Sequence, residues 1–210
     1  MVLSALLLSG FLLAAPDTAL VPGLCTAPAS ENVGKPGCYL SAQLDIAAPP
    51  AQLYWHIHQF DDEGVARHEA ARHGSSTVVR AHDRVWLYVI GGQDERVEGG
   101  RRVAVIGPLD TPAGQPVKAR FMESWFPPGM RTRVHAHPGP EAFYVVDGVQ
   151  CVETPADRRK IAAGASYIVS GPHIQAAPTG RRNLVIILVP AGAPWMALDA
   201  GWTPSDFCDR

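Results

Sequence analysis

The segment GMRTRVHAHPGPEAFYVVDG, residues 129–148, carries two imidazoles and a carboxylate close together, at His135, His137 and Glu141. Successive side chains of an extended strand alternate faces, so His135 and His137 share one side, with Arg133 and Arg131 on that side too if no bulge intervenes. The run His137-Pro138-Gly139-Pro140 has turn chemistry; it returns the next strand antiparallel and brings Glu141 back toward the pair. Two neutral imidazoles and a carboxylate on one face of a hairpin make most of a first-row transition-metal site, close to the two-His, one-carboxylate arrangement of non-haem iron. The competing reading is a solvated hairpin whose three polar groups share no partner.

The elements around this segment are mostly strands. From residue 75 onward, short runs such as STVVRA, RVWLYVIG, RRVAVIG, ARFMESWF, MRTRVHA, EAFYVVDG, VQCVET, SYIVSG and NLVIILVP are divided by Gly, Pro and Asp turns. Such spacing without intervening helices indicates a sandwich or barrel. Upstream, LYWHIHQF (53–60) reads as a strand and DDEGVARHEAARHG as a helix, capped by Asp61 or Asp62 and ended by Gly74. No repeat is strong, although residues 53–108 leave room for a decayed half of a duplicated barrel. The tail from Pro194 holds Trp195, Trp202 and Phe207 and is expected to pack on the body.

With those strands in place, the order Gly129, His135, His137, Glu141, Gly148 resembles the first signature of the cupin superfamily, with no departure in spacing. Given 20 Gly, 8 His and 8 Glu in 210 residues, such a match arises by accident about once in ten thousand sequences. The resemblance implies an antiparallel jelly-roll barrel with a metal held inside by His135, His137, Glu141 and a third histidine from a later strand. The second signature is matched more loosely: GASYIVSGPHIQAAP supplies Gly164, Gly171, Pro172 and His173, with Ala177 at its asparagine position. We assign His173 as the third imidazole. Four protein ligands on an octahedral ion leave two positions. The implied cofactor is one divalent transition metal, Fe or Mn favoured, with Zn or Ni as alternatives. Cupin folds serve oxygenases, isomerases, decarboxylases and metal-free binders, so fold alone leaves the reaction open. Cupin barrels often pair through their sheets, which implies a homodimer.

The remaining candidates carry weaker signals. Arg133 has the guanidinium geometry to hold a substrate carboxylate at the barrel mouth, against the alternative of a solvated arginine; Arg131 is a lesser candidate. His56 and His58 repeat the His-x-His pattern, but no glutamate follows at the same interval, so no second metal site is assigned. His68, His73 and His82 show no ligand register and are expected at the surface. Cys151 as a fifth ligand is outweighed by a disulfide or buried thiol. No nucleophile elbow, phosphate loop or dinucleotide motif occurs.

Whole-chain features set the context. A formal charge of −2 with scattered basic residues excludes nucleic acid as a partner; a small molecule is expected instead. The first 15 residues, MVLSALLLSGFLLAA, are uncharged and apolar, the texture of a secretory leader, with a buried helix or an uncleaved anchor as alternatives. Of the three pairings open to Cys25, Cys38, Cys151 and Cys208, Cys25–Cys38 and Cys151–Cys208 are expected, in an oxidising compartment. The resulting organisation is a leader (1–19), an irregular arm (20–52), a β-rich extension with one short helix (53–112), a cupin barrel (113–192) and a packed tail (193–210). The expected protein is exported, periplasmic or secreted, and all-β. Its function is metal binding in a barrel, either for a metal-dependent oxygenase or related enzyme acting on a small organic molecule, or for a non-catalytic metal- or ligand-binding module.

Overall fold

The computed structural model describes residues 21–198 and 201–209; the leader expected over residues 1–19 lies outside them. In chain order the main elements are β1 (Gly37–Ile46), β2 (Gln52–Phe60), α1 (Glu63–Ala70), β3 (Ser76–Ala81), β4 (Arg84–Gly91), β5 (Arg101–Asp110), β6 (Val117–Phe126), β7 (His135–Ala136) and β8 (Glu141–Glu153), followed by β9 (Arg158–Ala162), β10 (Ser166–Val169), β11 (Ile174–Ala176), β12 (Arg181–Pro190) and β13 (Ala197–Leu198). All their pairings are antiparallel.

The main sheet runs β1-β6-β12-β8-β10. β8 is long enough to serve two sheets. Its first half pairs with β10 and β12, and beyond Gly148 it pairs with β9 and β11. Gly148 permits this bend, with φ +75°, and a Cβ there would stand 2.1 Å from the Gly180 carbonyl oxygen. The two halves enclose a barrel interior filled by Met122, Phe126, Phe143, Val145, Val152, Val185 and Ile187.

A second sheet, β3-β4-β2-β5, covers the outer face of the main one. β12 explains how one strand serves both contacts. Val185, Ile187 and Val189 fill the barrel, while Leu184, Ile186 and Leu188 pack against Trp55, Trp86 and Tyr88 of the second sheet. An uninterrupted apolar run suits a strand buried on both faces. Each fully buried Leu or Ile adds roughly 1.5–3 kcal/mol, so this strand anchors both layers. Residues 53–108 thus form an open sheet leaning on the barrel and not a second barrel. α1 packs on that sheet beside β3 and β4. It begins where expected, with Asp62 Oδ1 accepting from the Val65 amide at 2.8 Å.

Two expected elements differ. Residues 37–46, placed in an irregular arm, form β1, an edge strand of the main sheet paired with β6 along its length. The surrounding Pro, Ala and Gly hid a strand whose stability comes from its neighbour. MRTRVHA is a strand only at His135–Ala136. Before that it follows residues 173–177 through isolated contacts, including the bridges Arg131↔Ala176 and His135↔His173. Both expected disulfides are present, Cys25–Cys38 and Cys151–Cys208, and they suit an oxidising compartment. The second fastens the tail, where Trp202 and Phe207 pack with Cys208 around Cys151 and Ile174. Among the described residues no helix is long and apolar enough to cross a membrane.

Candidate metal centre

His135, His137, Glu141 and His173 come together inside the barrel, with one donor atom from each lying within 4.8 Å of the others. Each is delivered by a different local device. Glu141 opens β8 directly after the Pro-Gly-Pro turn. His135 and His173 face each other across the bridge their backbones make, with His173 N–H donating to the His135 carbonyl at 2.9 Å and His135 N–H to the His173 carbonyl at 3.1 Å. Their ring centroids stand 4.2 Å apart. His137 stacks on Trp195 of the tail, with centroids 5.6 Å apart and planes 18° from parallel.

Hydrogen bonds settle which nitrogen of each ring faces inward. His135 Nδ1 lies 2.9 Å from the Arg133 carbonyl, His137 Nδ1 2.8 Å from the Trp195 carbonyl, and His173 Nδ1 2.9 Å from the Gly171 carbonyl. A carbonyl only accepts, so in each ring Nδ1 carries a proton and donates it, and Nε2 is the nitrogen left to face the other groups. Backbone support of this kind behind a ligating imidazole is what metal sites require. Gly171, at φ +75°, makes the turn that aims its carbonyl at His173.

Glu141 is buried and ionised. Its Oε2 stands 3.2 Å from His137 Nε2 and 3.0 Å from His173 Nε2, yet all three atoms are buried without an aligned hydrogen bond. They converge on a common centre and not on one another. Burial raises the Glu141 pKa, but the hydrogen-bonding and charge influence of His137 and His173 outweighs it and holds the carboxyl well below its ordinary range. Burial, with His173 alongside, pushes His135 down to about 4. For His137 burial acts downward, and the Glu141 carboxylate reverses it to a net rise. A buried carboxylate oxygen without a hydrogen-bond partner, faced by imidazole nitrogens that also lack one, is a donor set that a divalent cation satisfies. The donor set therefore fits the metal that the sequence resemblance implies.

Behind the cluster runs a polar chain that sequence reading missed. Gln175 Nε2 donates to Glu141 Oε1 at 2.6 Å, Gln150 Nε2 to Gln175 Oε1 at 3.2 Å, and Asn183 Nδ2 to Gln150 Oε1 at 3.0 Å. All of them are buried. The only available signal was strand parity: Gln175 lies two residues after His173, and Asn183 interrupts an apolar strand. Trp195, which fixes His137 from the tail, was expected to pack on the body, but nothing in the sequence aimed it at the cluster.

A cavity of about 60 Å³ opens beside the cluster, its wall mostly apolar through Met122, Phe126, Val185, Ile187 and Trp195. Arg133 lines it, along with His135, His137 and Glu141. Arg131 does not; it turns to the tail and grips Asp209 through two contacts of 2.7 Å, because the irregular backbone there breaks strand alternation. Tyr144 packs between the sheets, and the Tyr167 hydroxyl donates to Asp157 at 2.9 Å. Cys151 is committed to its disulfide. His73 and His82, expected at the surface, are largely enclosed: His73 lies between Glu69 and Glu95, and His82 Nε2 approaches the Asn183 carbonyl at 3.0 Å. His68 is exposed.

No protein-family model matches the chain, and no curated protein is significantly similar to it. Among solved structures, the chain is similar to a cupin superfamily protein from Desulfitobacterium hafniense, with 12% identity, 39% of this chain and 73% of that one covered, and a TM-score of 0.33. It is also similar to a cupin-like protein from Thermotoga maritima, with 20% identity, 43% and 71% covered, and a TM-score of 0.37. A third is the DMSP lyase DddQ from Ruegeria pomeroyi, with 16% identity and a TM-score of 0.35; the match spans 40% of this chain and less than half, 45%, of that one. The chain's own strands form an antiparallel barrel with three imidazoles and a carboxylate gathered inside it, the arrangement expected from the Gly129–Gly148 motif.

Proposed function

We propose that the barrel binds one divalent transition metal, Fe or Mn in preference to Zn or Ni, through His135, His137, Glu141 and His173, and that this centre acts on a small organic molecule as a metal-dependent oxygenase or related enzyme. The observation that carries this reading is the orientation of the three rings: each gives its Nδ1 proton to a backbone carbonyl, which turns three Nε2 atoms toward one buried carboxylate. When bound, the metal supplies Lewis acidity or a site for oxygen activation. The chain's own residues do the rest. Gln175 holds the carboxylate, Trp195 holds His137, and the apolar wall limits water and admits a small ligand. Arg133 also lines the cavity, where it would stand beside a bound substrate.

One observation favours a second reading, a non-catalytic metal- or ligand-binding module: the cavity is narrow and apolar and, beyond His135, His137 and Glu141, no carboxylate or imidazole among the described residues lines it. The apolar leader and the two disulfides support an exported protein, periplasmic or secreted. A homodimer is expected by the same resemblance.

Elemental analysis of protein purified without added metal or chelator tests the centre. About one iron or manganese per chain, absent from His137→Ala, supports it and directs oxygen-uptake screens toward small organic acids and phenols. A wild type as metal-poor as the variant refutes it. A zinc protein without substrate-dependent oxygen uptake favours the binding module.

A further inference from the structure

Arg181 begins β12 on the face that turns into the barrel, and it is 3% exposed. Buried arginines are normally paired, and this one is not: among the described residues no carboxylate lies within ion-pair distance of it. Its Nη1 donates to the Ser124 carbonyl at 3.1 Å and to the Ser124 hydroxyl, and the guanidinium lies over the Phe126 ring with 3.6 Å to the centroid. Nε is buried without any partner. Arg181 lines the same cavity as His135, His137 and Glu141. Burial pushes the Arg181 guanidinium down to about 9 and nearby Glu141 acts the other way, but the two form no ion pair. A dry cation with an unsatisfied donor is unfavourable unless an anion joins it.

We propose that this cavity is a binding site for a small monocarboxylate, whose carboxylate pairs with Arg181 and whose apolar body packs between the barrel wall and the metal centre. The proposal rests on the metal reading only in placing the ligand's far end beside that centre. Chemistry selects the class. A guanidinium fork matches a planar carboxylate, and the Phe126 ring and Ser124 occupy only one face and Nη1 of it, with Nε left without a partner. Met122, Phe126, Val185 and Ile187 offer apolar contact and no hydrogen bonds. A volume of about 60 Å³ keeps the ligand small. Arg181, deep inside, is thereby distinguished from Arg133 as the group that recognises charge.

The test uses the full chain, metal-free and zinc-loaded, titrated with butyrate and with butyramide as its uncharged match. Calorimetry is expected to show butyrate binding about tenfold or more tighter than butyramide, the usual advantage of a charge-assisted over a neutral hydrogen bond. Arg181→Lys is expected to weaken butyrate by a similar factor and leave butyramide unchanged. In wild-type protein, the Arg181 Nε–H resonance, assigned through bonds, should shift with butyrate and not with butyramide. That arm needs no variant to fold. Equal affinities, full butyrate affinity in Arg181→Lys, or an unmoved Nε–H resonance would each overturn the proposal. A chain that takes up metal but shows no butyrate preference refutes this inference alone. Butyrate preference in a chain that takes no metal refutes the metal reading alone.

Discussion

His56 and His58 stand two residues apart on β2, His135 and His137 two residues apart at β7 and just past it, and all four side chains are buried. The surroundings differ. Around His135 and His137, a third imidazole and a carboxylate face the same centre, and each Nδ1 is tied back to a carbonyl. Around the β2 pair, the acids are already committed: Glu69 and Glu95 hold His73 at 3.1 and 2.8 Å. His56 Nε2 instead approaches the Gly92 carbonyl at 2.8 Å, and both ring nitrogens of His58 are buried without a partner. His-x-His places two imidazoles close together; a turn that brings up a carboxylate whose Oε2 has no hydrogen-bond partner makes a candidate metal site of them.

The largest test of this contrast is metal content. His137→Ala is expected to reduce bound metal to background, whereas His56→Ala leaves it unchanged, as read by elemental analysis on the two purified variants. If the β2 variant also emptied the protein, the contrast would be wrong. Next in size is the support behind the carboxylate. Gln175→Leu removes the donor on Glu141 Oε1 and is expected to weaken metal affinity about 10- to 100-fold, measured by chelator competition. Unchanged affinity would show that Glu141 is held by the imidazoles alone.

Acid stability sharpens the other half. Burial, with His56 and Arg102 adding, holds the His58 pKa down at about 4, from 6.5 in an unfolded chain. Above pH 6.5 both states are neutral and His58 contributes no slope. As pH falls from 6.5 toward 4, the unfolded chain takes up a proton that the folded one refuses, so stability drops by up to about 1.4 kcal/mol per pH unit from this group. His82, also held at about 4 by burial, adds to the same window. His58→Gln should flatten the fall in urea midpoint between pH 6 and 4; an unchanged slope would assign the loss to His82 and other groups. The smallest effect is at α1, beside the β2 pair. Asp62→Ala removes its N-cap and is expected to cost about 1 kcal/mol in chemical unfolding without altering metal content.

Much of the barrel was legible because the short strands are cut by turn residues and because the Gly129–Gly148 spacing ties two glycines to three polar side chains. β1 was not legible: its partner β6 lies about 80 residues away along the chain, and pairing supplies order that local composition does not show. The same holds for MRTRVHA, where β propensity suggested a full strand and the contact with residues 173–177 permits only a short one. Arg131 and Arg133 were placed together by alternation that this irregular backbone does not keep. His73 and His82 looked like surface residues because nothing in their local pattern shows the carboxylates or the carbonyl that enclose them.

The amino-acid sequence by itself determined the local facts: antiparallel strands, the turn at Pro138-Gly139-Pro140, the nearness of His135, His137 and Glu141 across that turn, and the cap of α1. These depend on side-chain alternation, turn chemistry and neighbours a few residues apart. Only the tertiary structure decided that His173 faces His135, that Trp195 and Gln175 orient the cluster, that the acids near His58 are committed to His73, and that Arg181 sits unpaired in the same cavity. Those facts depend on which distant strands meet and on what water is excluded between them, and no local pattern in the chain encodes either.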